Sequence, residues 1–191
     1  VDNWPALPEG RTMLARAERA PVPTLLSFDA GRRLHATPMR PDSPYQVVIV
    51  GRHLGVTGAA APLDAYVNDA WGLASPIGAH LALERWSWPG HEKFLRNHWV
   101  FAEWAAKHPP QRDLLRAGAP REAVEAARAA LGCGDLAELR ESVRAPLTAE
   151  RFWRNLTGAV ERTQFRFARW PAAAQQALCD RPAGGRSGLT R

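Results

Sequence analysis

Arg151, Arg162, Arg166 and Arg169 are the residues whose type and spacing most invite a chemical role. Taking about 100° per helical residue and Arg151 as zero, the other three fall within about 60° of it, with Asn155 at about 40° among them. Phe152, Leu156, Val160, Thr163, Phe167 and Trp170 fall between about 100° and 180°, so the cationic and apolar sets hardly overlap. Phe165, at about 320°, sits beside the arginines. Guanidinium groups grip phosphate in a planar, bidentate way, and an adjacent aromatic ring can stack on an exposed base. The pattern therefore predicts a nucleic-acid interface built from Arg151, Arg162, Phe165, Arg166 and Arg169. Two other readings compete. The arginines could form a solvated face, or pair with acids of neighbouring helices such as Glu138 and Glu141; or they could meet an acidic protein or a membrane surface.

Charge placement adds to the first reading. The chain has 25 basic against 19 acidic side chains, and residues 151–191 hold eight arginines against two acids, which is the whole excess. Lys93 and Lys107 are the only lysines. Arginine over lysine, with abundant alanine, is also what a GC-rich bacterial genome produces, so position carries more information than composition.

The remaining candidates are weaker. His91 and His98 share the apolar side of an aromatic helix over about 91–107, but two turns separate them by about 10 Å, too far to ligate one metal. Packing within the core or at its boundary is the expected role of His98. His80 and Glu84 are spaced to share a metal or an acid–base step but lack a third partner in sequence. Gly51, Gly55 and Gly58 follow an apolar run, with Arg52 and His53 beside them, in the order strand, glycine loop, helix. Their spacing matches neither a dinucleotide nor a P-loop fingerprint. His35 completes the set from which a small enzyme would draw. No metal and no cofactor is expected. Cys133 and Cys179 stand isolated, so a disulfide is not expected and a reducing compartment is.

These residues need a scaffold, and the patterning predicts an α+β, mostly α fold. A small N-terminal antiparallel β-meander is followed by about six packed helices. Residues 1–23 read as an extended, proline-marked arm with a short helical stretch at 11–19. Residues 24–180 read as a single domain, β-rich over 24–58 and helical over 62–180. Residues 181–191 read as a flexible basic tail. Strands are expected at 24–28, 32–37 and 45–50. Helices are expected behind Pro62 and Pro76, over 91–107, from Pro120 to Leu131, from Asp135 to about Pro146, over 148–170 and over 172–179.

No stretch approaches the roughly 18–20 apolar residues of a membrane span, and no signal peptide is visible. The sequence thus predicts a cytoplasmic nucleic-acid-binding accessory protein, a non-catalytic subunit of a larger nucleoprotein hetero-complex, with RNA or DNA as partner. The alternatives are an interaction subunit facing an acidic protein and a small histidine-dependent enzyme.

Overall fold

The computed structural model describes residues 8–29, 33–51, 54–83 and 92–180. Helix α1 (Pro8–Glu18) precedes strands β1 (Thr24–Phe28), β2 (Leu34–Pro38) and β3 (Val47–Gly51). Helix α2 (Leu54–Ala60) leads to strand β4 (Tyr66–Asp69). The rest is helical: α3 (Pro76–Ala79), α4 (Asn97–Trp104), α5 (Gln111–Ala117), α6 (Arg121–Ala130), α7 (Gly134–Arg144), α8 (Ala149–Thr157), α9 (Ala159–Gln164) and α10 (Pro171–Cys179). The fold is α+β, mostly helical, with a small sheet on the N-terminal side followed by helices, as the sequence predicts.

The sheet order is β2-β1-β3-β4. Only β1 and β2 form an antiparallel hairpin, whereas β3 joins β1, and β4 joins β3, in parallel. Burial explains this departure from a simple meander. Along the central strands Leu25, Val48 and Val50 point into the main core, while Leu26, Val47 and Ile49 pack with Leu14 and Ala17 of α1. A strand covered on both faces reads as a continuous apolar run and suits parallel pairing with a crossover helix, here α2. Strand β4 lies where helical spacing is read in the sequence. Tyr66 and Val67 pair with Val48 and Ile49, so the open edge of β3 outweighs a weak local pattern.

Helix α4 is shorter than expected and buried at every residue from His98 to Trp104. A helix enclosed on all sides shows no polar face in its sequence. Helix α6 packs against it and against α10. At the α3 entrance, Ser75 Oγ accepts the Gly78 amide at 3.2 Å. Here Gly72, at φ +75°, crosses Gly78 so closely that a Cβ on Gly72 would lie 2.7 Å from the Gly78 backbone.

The long helix expected over 148–170 is three pieces. Helix α8 ends at Gly158, α9 ends at Phe165 with extended backbone, and Phe167 forms a parallel bridge with Leu81. The helical phase is therefore meaningful only through α8 and α9. Cys133 and Cys179 are joined by a disulfide across 46 residues, which corrects the expectation of isolated thiols.

Candidate functional site

Of the arginines in α8, in α9 and in the stretch after them, Arg151, Arg162 and Arg169 face the protein, whereas Arg154 and Arg166 are exposed. Arg151 is 7% exposed. Thr148 Oγ1 accepts its amide at 3.1 Å, and its guanidinium reaches Glu138 at 3.2 Å and Glu141 at 2.7 Å. Arg162 lies 3.5 Å from Glu138 and donates to the Arg154 and Asn155 carbonyls at 3.0 and 2.6 Å. Arg154 also pairs with Glu138, at 2.8 Å. Arg169 donates to the Glu92 carbonyl. Exposed Arg166 folds back onto the Thr163 and Phe165 carbonyls at 2.7 and 2.6 Å. Phe165 packs against the core and stacks with Phe167, ring centroids 6.0 Å apart. Pairing with Glu138 and Glu141, the competing reading, describes Arg151, Arg154 and Arg162.

The histidines divide as well. His35 Nε2 lies 2.9 Å from Asp29. The two ring nitrogens of His80 face the Pro76 and Arg162 carbonyls at 2.7 and 2.9 Å, so the ring fastens α3 to α9. Arg52, His53, Glu84 and His91 lie outside the described residues.

A different set of side chains lines a cleft of about 340 Å³, formed by Phe94, Arg96, Asn97, His98, the loop after α5, and Trp170. Three local structures build it. Arg96, extended, caps α4, and Asn97 Nδ2 donates to the Ala117 carbonyl at 2.7 Å. Gly118 closes α5 at φ +60°, a conformation glycine adopts without strain. Trp170 caps α10 just before Pro171. The Arg96 guanidinium lies 4.6 Å above the Trp170 ring, which is half exposed. His98 sits 6.4 Å from that ring.

His98 is 4% exposed, and among the described residues its Nε2 has no hydrogen-bond partner. Burial, and then the positive charge of Arg96, push its pKa down to about 4 against the opposing pull of the Arg169 backbone. The imidazole is therefore neutral at physiological pH and can donate or accept one bond in the cleft. A group so weakly basic is a poor general base there. The cleft combines a flat aromatic face, a cation over that face, and a buried polar atom that has no partner among the described residues.

Comparison with known proteins fixes the lineage. The model of the AftB family C-terminal domain matches residues 8–173. The chain belongs to this family. It is also 32% identical over 134 residues to the terminal beta-(1→2)-arabinofuranosyltransferase of Mycobacterium tuberculosis. That alignment takes in 69% of this chain and 21% of that protein, so the chain spans about a fifth of its relative. No solved structure matches.

Membership in the AftB family overturns the expected nucleic-acid-binding accessory function, together with the nucleic-acid partner and the nucleoprotein complex. The arginine side chains explain why the sequence misleads: most of the face that looks free on a helical wheel is held by α7 acids or backbone carbonyls. The cytoplasmic, reducing location falls with it, and the Cys133–Cys179 disulfide belongs to an oxidising environment. Among the described residues no helix is long and apolar enough to cross a membrane.

Sequence reasoning missed the cleft. Trp170 was placed in the apolar stripe of a continuous helix, and Arg96 and Asn97 inside an aromatic one. The available signal was the run Arg96-Asn97-His98, three polar side chains at the head of a helix whose only other polar residue is Glu103.

Proposed function

We propose that this domain serves a cell-wall arabinofuranosyltransferase as its carbohydrate-engaging part, holding an arabinofuranose-containing chain in the Arg96–His98–Trp170 cleft. The observation that carries the reading is the half-exposed Trp170 ring, with the Arg96 guanidinium 4.6 Å above it and the His98 ring 6.4 Å away. Sugars present C–H faces that pack on aromatic rings and hydroxyls that pair with neutral donors and acceptors. Asn97, Arg96 and His98 supply the polar part of such a site, and Trp170 and Phe94 the apolar part. Among the described residues, the lining side chains include no carboxylate. With His98 a weak base, binding and orientation fit this cleft better than glycosyl transfer.

The test is titration of the folded chain with a β-(1→2)-linked arabinofuranose oligosaccharide, followed by NMR shifts of the Trp170 and His98 side chains. An arabinopyranose oligosaccharide serves as control. Trp170→Ala should weaken binding about tenfold, the loss of one stacking surface, and Trp170→Phe should restore most of it. Shifts that ignore the cleft, or affinity unchanged in Trp170→Ala, would refute the proposal.

A further inference from the structure

Helices α8 and α9 are amphipathic in the reverse of the usual sense. Arg151 and Arg162 face the protein, and with the more exposed Arg154 they meet Glu138 and Glu141. Their apolar side faces out: Phe152 is 48% exposed, Trp153 60%, Leu156 55% and Val160 68%. On the helical wheel these four span about 100°, with no charged residue between them. Leu147, 72% exposed, immediately precedes the Thr148 cap and lengthens the ridge.

We infer that this ridge seats the domain on a lipid bilayer, with Phe152, Trp153, Leu156 and Val160 entering the interfacial zone. Three observations select this occupant over a second protein. The ridge is small: half-exposed side chains of this kind, at about 150–250 Å² each for the aromatics, offer roughly 400 Å². A stable protein interface needs about 800 Å² per partner. Its shape is a single helical edge about 12 Å long from Phe152 to Val160, suited to shallow insertion of about 5–10 Å. Its composition pairs Trp and Phe with Leu and Val, the mixture that settles at the headgroup boundary. The internal ion pairs fix the helix so that the ridge is presented rather than buried.

Co-sedimentation of the 191-residue chain with phosphatidylcholine vesicles, and with vesicles one quarter phosphatidylglycerol, tests this. Binding is expected to both, because the ridge is apolar. Trp153→Ser with Leu156→Ser should lower the partition coefficient about tenfold or more on both. Leu115→Ser, at an exposed apolar position of α5, should leave it unchanged. The altered side chains are exposed, and circular dichroism verifies that the fold survives. Binding to neither vesicle would overturn the inference. So would binding to anionic vesicles alone that the double variant leaves intact, since basic charge alone would then account for it. Concentration-dependent self-association that the same double variant abolishes would assign the ridge to a second copy instead.

Discussion

His98 links the cleft to the stability of the fold through a single proton. Its folded-state pKa is depressed from 6.5 to about 4, so in acid the unfolded chain binds the proton more readily than the folded one. Stability from this group is fully present above pH 6.5 and is lost as the pH falls toward 4. At about 1.4 kcal/mol per pH unit, the loss over that window is about 3 kcal/mol. Urea unfolding at pH 7 and pH 4.5 measures it, and His98→Gln should flatten the dependence. The same burial leaves Nε2 without a hydrogen-bond partner among the described residues, so the feature that makes the fold acid-sensitive is the one on which the proposed hydroxyl contact draws.

At the scale of elements, the buried pair Glu103–Arg144 ties α7 to the central helix. Glu103 is fully buried, its carboxyl pushed above the usual range by desolvation and pulled back by Arg144, Arg140 and Arg40. Arg144 meets it at 2.5 Å and lies 4.4 Å over the Trp104 ring. Arg144→Ala leaves a buried acid with fewer cations and should cost about 3 kcal/mol, the low end for a broken buried pair because Arg140 and Arg40 remain. Glu103→Met with Arg144→Met should cost much less, since the desolvation of both charges disappears. Chemical denaturation of the two variants separates these outcomes.

The legibility of the sequence also divides by element. Helices with a local signature were readable: α6 behind Pro120 and α10 behind Pro171 stand where the prolines place them. β4 and the division of residues 148–170 were not, because each depends on a partner far away in sequence. β4 exists because β3 offers an open edge, and the extended stretch at Phe165–Phe167 exists because Leu81 and the His80 carbonyl receive it. The cleft was illegible for the same reason, since Arg96 and Trp170 meet only through tertiary packing. The arginine face was legible as a pattern. Which way it points is decided by α7.

The whole molecule is a sheet with α1 on one side and a helical body on the other, closed by α10 against α6. The Cys133–Cys179 bond pins that closure. A cross-link enclosing a loop of this length removes about 4 kcal/mol of unfolded-state entropy in the chain-entropy account. Cys133→Ser with Cys179→Ser should lower the unfolding free energy by roughly that much, and reduction of the native chain should match it. A variant as stable as the parent would show that α10 packing alone closes the fold.

The position of that bond also sets an order of events. Cys133 precedes α7, and its partner is the last residue of the final described helix. The sheet and the helices through α9 can all assemble while the thiol of Cys133 waits. Trp170, near the start of α10, reaches its place above the cleft at about the moment the covalent latch can close. If the ridge seats the domain on a bilayer and the cleft holds a sugar chain, as proposed, the ridge is complete in chain order before Trp170 completes the cleft, and anchoring can precede recognition.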